Sequence, residues 1–538
     1  MKRLGAFALN ASIVGMAFLF MLSLSALALA AGVGAAWAAE TSTEQRTTQE
    51  LESVRSDPLA LRDFLKRMPK GADLHNHLNS AVYAETYIRL GGEDGLCVDP
   101  TAKAFNKSQP VKSGAEPAPV CEAGDVPAAD VPKNQALYNA LVDSFSMRGF
   151  VPSEGVTAHD HFFGAHAKYG GIDPRHTGEF LHEVTTRAAA QNEQYLELME
   201  TPTWHRLNDI TNDLPWQDDL GGLREALLAK GLAEDVPAGR AFFDQAESIR
   251  RERQRCGEPD AAEACKVETR YIYQVFRNTP KELVFAQTVF GFELASADPR
   301  VVAINFVGGE DDHTSMTDYA EHMRMVGFLR PLYPNVHVSL HAGELAPGLV
   351  PPDGLCCHIR QAVDVAKTDR IGHGVDVMYE DRPYELMKEM AAKRILVETN
   401  LTSNDVILGV RGKEHPFPTY RKLGVPVALS TDDEGVSRID LTHEYVRAVQ
   451  TYDLTYADLK ELVRNSIEYS FLPGASLWSD QGAYASVAAD CASDMPGTDK
   501  PSAPCAAFLG KSEKAAQQWE LERRFQAFET EGANESRG

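Results

Sequence analysis

Between residues 72 and 430, short apolar runs alternate with stretches patterned for helices, and the alternation completes eight times. The strand-like runs begin at Ala72-Asp73-Leu74-His75-Asn76-His77-Leu78. They continue with Tyr195 to Met199, Thr269 to Val275, Val301 to Val307, His337 to His341, Arg370 to His373, Ile395 to Thr399 and Val425 to Ser430. Apolar strands separated by helices are buried on both faces, which is the signature of a parallel sheet. Eight such units predict an α/β fold, a (β/α)8 TIM barrel. An open doubly wound sheet is the alternative. The chain has no glycine-rich phosphate fingerprint and no Walker A sequence to support it.

The chain has 538 residues and a formal net charge of −24, so a phosphate backbone would be repelled and no nucleic-acid partner is expected. Its first forty residues differ from the rest. Met1-Lys2-Arg3 gives a short positive start, an apolar run follows that includes Ile13 to Leu29, and Ala36-Trp37-Ala38-Ala39 resembles an A-x-A cleavage site. This pattern predicts a signal peptide over 1–39, with an uncleaved anchor as the alternative. The protein is then exported, periplasmic or secreted, with no membrane contact apart from that segment. Eight cysteines fit an oxidising compartment. Three local disulfides are expected, Cys97–Cys121, Cys256–Cys265 and Cys491–Cys505, while Cys356 and Cys357 are adjacent and are assigned no partner. No C-x-x-C occurs, which argues against a thiolate zinc site.

Around the barrel, residues 40–67 read as an N-terminal helical segment, with Leu61, Phe64, Leu65 and Met68 at helical spacing. Residues 68–475 form the barrel domain. Within it, 91–135 are rich in Gly, Pro, Ala and Lys and read as a loop insertion after strand 1. Residues 136–170 return to helical patterning and contain Ala158-His159-Asp160-His161-Phe162-Phe163. A helix packing its phenylalanines inward is the first reading of that cluster, and a pocket wall the second. Residues 476–538 read as a C-terminal extension, loop-rich and then helical.

Catalytic residues of such barrels sit at the C-terminal ends of several strands. The conspicuous polar residues fall there. His75 and His77 close strand 1 and share a face, because alternate side chains of a strand do. His341-Ala342-Gly343-Glu344 closes strand 5, Gly372-His373-Gly374 strand 6, and Thr431-Asp432-Asp433 strand 8. Three imidazoles (His75, His77, His341) and one carboxylate (Asp432) suit one Zn2+ per chain. His373 is placed to orient a water or take its proton, and Glu344 to donate a proton from a buried carboxyl. Asp433 suits substrate binding. Strand 4 ends Asn305-Phe306-Val307-Gly308-Gly309 without a lysine that could bridge a second metal.

These strings together resemble the adenosine deaminase family of metal-dependent hydrolases: Met-Pro-Lys-Gly-Ala-Asp-Leu-His-Asn-His-Leu, His-Ala-Gly-Glu, Arg-Ile-Gly-His-Gly and Ser-Thr-Asp-Asp. Glu398 to Asn404, His415-Pro416, and Asn465 with Ser470-Phe471-Leu472 agree, and the resemblance covers roughly residues 60–475. The exported start and Cys-bracketed insertion are similar to the secreted, growth-factor-type branch. The resemblance implies zinc on His75, His77, His341 and Asp432, proton donation to purine N1 by Glu344, and positioning of the attacking hydroxide by His373. It further implies contacts from Asp433 to N7 and from the Gly308 backbone to N3. Adenosine, and with it 2′-deoxyadenosine, would become inosine-type product and ammonia. Two positions depart from the family pattern. Asn79-Ser80 stands where an Asp-Gly with a ribose-contacting Asp is usual, so Asn79 becomes the candidate sugar contact, and Glu434 stands in place of Pro. Adenine or a modified aminopurine nucleoside therefore stays open as substrate, as does a catalytically silent secreted binding protein. A homodimer also stays open.

Overall fold

The computed structural model describes residues 42–106, 121–202, 205–480 and 482–535. Eight parallel strands make one sheet: β1 (Gly71–His77), β2 (Glu193–Glu200), β3 (Glu268–Phe276), β4 (Val301–Val307), β5 (His337–Ala342), β6 (Arg370–His373), β7 (Leu396–Thr399) and β8 (Val427–Leu429). Their spatial order is their chain order, each pairing in parallel with the next. The ring closes through a bridge between Asn76 and Asp432. There the Asp432 N–H donates to His75 O at 2.8 Å and the His77 N–H to Asp432 O at 3.3 Å. The result is a nearly closed TIM barrel with helices around it.

The elements follow from local chemistry. All eight residues of β2 are buried, as a strand covered on both faces requires. The helix Pro58–Arg67 starts on Asp57, whose carboxylate accepts from the Leu59 and Ala60 N–H groups, and it buries Leu61, Phe64 and Leu65 at the predicted spacing. The helix Lys281–Ala297 is buried on most sides, eleven residues in all, because it packs between the barrel and an outer helical layer. Within the barrel, Arg370 bridges Glu197 and Glu398, each at 2.6 Å, an ion triad sealed beneath the strand ends. Such a group stays charged only because every partner is in place.

Several expectations need correction. The insertion is not a plain loop: helix Ala84–Glu93 runs into it, and Cys97–Asp99, Ala104–Phe105 and Val126–Pro127 form a small antiparallel sheet. Strands of two or three residues leave no readable periodicity. The helical patterning of 136–170 resolves into two helices, Gln135–Ser144 and Ala158–Lys168. The three expected disulfides are present. Cys356 and Cys357, which had no assigned partner, are joined to each other. The signal segment expected over 1–39 lies outside the described residues. Among the described residues no helix is long and apolar enough to cross a membrane.

Candidate active site

The ends of β1, β5 and β8 bring His75, His77, His341 and Asp432 together, with one ligating atom from each lying within 4.8 Å of the others. The Nε2 atoms of His75 and His77 lie 3.1 and 3.3 Å from Nε2 of His341. Asp432 Oδ1 lies 3.5 and 3.3 Å from those of His75 and His77. Each imidazole is turned inward by a hydrogen bond from its other nitrogen. His75 Nδ1 pairs with Glu398 Oε2 at 2.6 Å, His77 Nδ1 with Gln274 Oε1 at 2.7 Å, and His341 Nδ1 with Asn305 Oδ1 at 2.8 Å. With Nδ1–H donating in each case, three Nε2 lone pairs and a carboxylate oxygen point at one spot. Lone pairs repel one another unless a cation sits between them, so the donor set fits a metal such as zinc.

The electrostatics agree. Burial opposes charge on His75, yet hydrogen bonds to Asp432 and Glu398 hold it up to about 10. Burial and the neighbouring imidazoles push His341 well below its ordinary value. The protein alone thus retains a proton where a cation would fit. Ser403 Oγ donates to the other Asp432 oxygen at 2.6 Å, leaving Oδ1 free to face inward. Asp432 (φ 61°) and His373 (φ 69°) both adopt left-handed backbone, uncommon for non-glycine residues and held here by the packed strand ends.

Glu344 faces the same centre from the loop after β5. Burial, then the charge of Asp432, pushes its carboxyl well above the ordinary value, which favours the protonated form. Its backbone is anchored: Gly343 and Glu344 N–H donate to the two oxygens of Glu310 at 3.0 and 2.9 Å. Glu310 stays ionised despite burial, held down to about 2 by His358 and Arg277. Two carboxyls in contact with one loop are thus driven in opposite directions. His373 Nε2 lies 3.7 Å from Glu344 Oε1 and 3.8 Å from Asp432 Oδ2, and burial pushes it down to about 4.

A cavity of about 780 Å³ opens over this cluster, lined by His77, His341, Glu344, Asp432, Asp433 and Gly308 among others. Such a volume suits a small organic ligand. His75 and His373 do not line it and lie behind its wall. Asp433 faces the cavity with Oδ2 3.5 Å from His166 Nε2. Asn79 lines it as well, but its amide donates to Glu200 Oε1 at 3.4 Å. Burial raises Glu200 to about 7. Glu434 makes a buried ion pair with Arg187 at 2.7 Å, which pins the Asp433 turn against the helix Thr177–Ala190. The helix Ala158–Lys168 meets both readings of its sequence: Phe162 is fully buried, and Phe162, Phe163 and His166 also form cavity wall.

Glu398, Gln274, Asn305, Ser403 and Glu310 carried no assignment in the sequence reading. The available signal was position: Gln274, Asn305 and Glu398 are polar residues within apolar strand runs, one or two residues before the strand end.

Residues 249–476 match the model of the adenosine deaminase family. An adenosine deaminase of Clostridium perfringens is 34% identical over 175 residues, 32% of this chain and 47% of that protein. One from Shewanella loihica is 37% identical over 136 residues, 25% of this chain and 38% of that protein. The matches thus span less than half the length of these curated relatives. Among solved structures, the apo N6-methyl-AMP deaminase of Arabidopsis thaliana aligns with a TM-score of 0.50 at 20% identity, covering 77% of this chain and 94% of that one, a likeness of fold.

Proposed function

We propose that this chain, whose residues 249–476 match the adenosine deaminase family model, is a member of that family and hydrolyses the 6-amino group of adenosine and 2′-deoxyadenosine, releasing ammonia. The observation that carries this reading is the convergence of three Nε2 atoms and Asp432 Oδ1 beneath a cavity that Glu344 and Asp433 also face. His75, His77, His341 and Asp432 would hold one Zn2+. When bound there, the ion supplies Lewis acidity that lets water attack at neutral pH.

The rest is the work of the chain's own groups. Glu344 keeps a proton to deliver to the ring nitrogen next to the carbon under attack, which makes that carbon electrophilic. His373 orients the attacking oxygen from the buried side. Asp433 meets N7 and the Gly308 backbone meets N3, fixing the purine plane. Ammonia leaves as the ring carbonyl forms. A second reading, deamination of adenine or of a modified aminopurine nucleoside, is favoured by one observation: Asn79 is engaged with Glu200 rather than free to meet a ribose. We also propose export, supported by the charged and apolar start of the sequence and by four disulfides.

The test is release of the 6-amino group from a panel of adenosine, 2′-deoxyadenosine, adenine and an N6-substituted nucleoside by zinc-loaded protein, read as ammonia for the first three and as the substituted amine for the last. Turnover of the first two ahead of the others is expected. No amine release from any of them rejects the purine reading, and preference for adenine selects the second.

A further inference from the structure

His373 sits at the end of a buried hydrogen-bond chain whose far end is a backbone N–H. The Phe417 N–H donates to His415 Nδ1 at 3.1 Å. His415 Nε2 lies 3.0 Å from Asn404 Oδ1, and Asn404 Nδ2 lies 2.9 Å from His373 Nδ1. All three side chains are sealed from solvent. A backbone N–H can only donate, so His415 Nδ1 must accept and the proton of neutral His415 sits on Nε2. That N–H requires an acceptor, which orients the Asn404 amide with Oδ1 toward His415 and Nδ2 toward His373. The anchor decides the amide orientation, which electron density alone seldom does. His373 Nδ1 must then accept, and its only ring proton lies on Nε2, the nitrogen facing Glu344 and Asp432. Asn400 Nδ2 is 3.4 and 3.5 Å from the two ring nitrogens of His373, near-equal distances that place it over the ring face, outside the in-plane chain.

We infer that Asn404 and His415 are positioning residues that hold His373 as an Nε2–H donor toward the reacting water. The inference rests on the proposed reading of His373 as the group beside the attacking oxygen. It chooses between two roles open from sequence, orienting the water or taking its proton. A nitrogen already carrying its proton donates; it stabilises negative charge developing on the attacking oxygen and cannot accept its proton. The chain penalises the alternatives. A proton on His373 Nδ1 would face the Asn404 N–H, and relieving that clash would turn the amide and set its N–H against His415 Nε2–H. Burial pushes His415 itself down to about 3, so it stays neutral. The arrangement depends on Pro416, which has no N–H and leaves Phe417 as the next donor, at the first turn of the helix Phe417–Lys422. Asn404 in turn is set by the helix Leu401–Leu408, which also brings Ser403 to Asp432, so one helix after β7 steadies both neighbours of the attacking water.

Two-bond 15N–1H correlation spectra of the zinc-loaded protein with labelled histidine, assigned by loss of one ring in His373→Gln, read the tautomer directly. The expected result is Nε2–H on His373 in the wild type, and a proton on Nδ1 in Asn404→Asp, where a carboxylate replaces the donor. Steady-state kinetics give the second readout. His415→Leu should lower kcat about 10- to 100-fold, the range for lost outer partners of a site, with KM little changed. His415→Gln, which presents an N–H at the same place, should restore most of the loss. Nδ1–H on wild-type His373, or an unchanged tautomer in Asn404→Asp, overturns the inference. If the tautomers behave as expected but no purine releases ammonia, the positioning chain stands and the proposed substrate falls.

Discussion

The two sides of the cavity are built differently. The side holding His75, His77, His341 and Asp432 comes from strand ends, and every inward-facing imidazole there has its second nitrogen committed to a buried acceptor. The other side comes from the helix Ala158–Lys168 and the short helix Leu78–Ala81, which carries Asn79. Its groups are looser: the His166 side chain is 33% exposed and meets Asp433 at 3.5 Å, and Asn79 reaches Glu200 at 3.4 Å. Leaving a polar group unpaired costs more when it is sealed in a barrel than when it faces a solvent-filled cavity. The strand-end side therefore fixes the chemistry, and the helical side is free to set which molecule receives it.

That division can be broken by mutation. The largest effect should come from Glu344→Gln, which removes the carboxyl that faces the metal cluster across the cavity. A kcat loss of about 10²- to 10⁴-fold is expected, with the metal retained. Next is Glu398→Gln, which leaves His75 without its charged acceptor and should weaken metal binding about 10- to 100-fold in a chelator competition. The pH dependence of metal binding follows from His75. Its metal-free form is held up to about 10, so below that pH a cation must displace a proton; apparent affinity should rise about tenfold per unit of rising pH while one proton is exchanged. On the other side of the cavity, Phe163→Ala should raise KM about tenfold, an effect of roughly 1.4 kcal/mol, with kcat and metal content unmoved. The smallest effect is expected for Asn79→Asp, a shift of about threefold in the ratio of kcat/KM for adenosine over adenine, roughly the worth of one weak hydrogen bond. Loss of metal from Phe163→Ala, or a specificity change from Glu398→Gln, would erase the distinction between the two sides.

The same division explains what could be read from sequence. His75, His77, His341, His373 and Asp432 stand at ends of short apolar runs, where a barrel gathers residues far apart in the chain. The eight strands were legible for the same reason, since burial on both faces leaves continuous apolar runs such as Val301 to Val307. Gln274, Asn305 and Glu398 were harder. Each is a single polar residue within a strand, and its meaning depends on which histidine lies beside it across the sheet, a relation set by register rather than by spacing along the chain. The small sheet in the insertion was illegible because its strands are two or three residues long. Helix Ala158–Lys168 carried two readings because burial and cavity lining coincide there: Phe162 is fully buried and, with Phe163, also forms cavity wall.

The most direct test of the metal centre is zinc content after dialysis, measured side by side for the wild type, Glu344→Gln and His75→Ala. One zinc per chain in the first two and none in His75→Ala is the expected result. One equivalent retained by His75→Ala would show that the ion sits elsewhere and that the four-residue cluster is not its site.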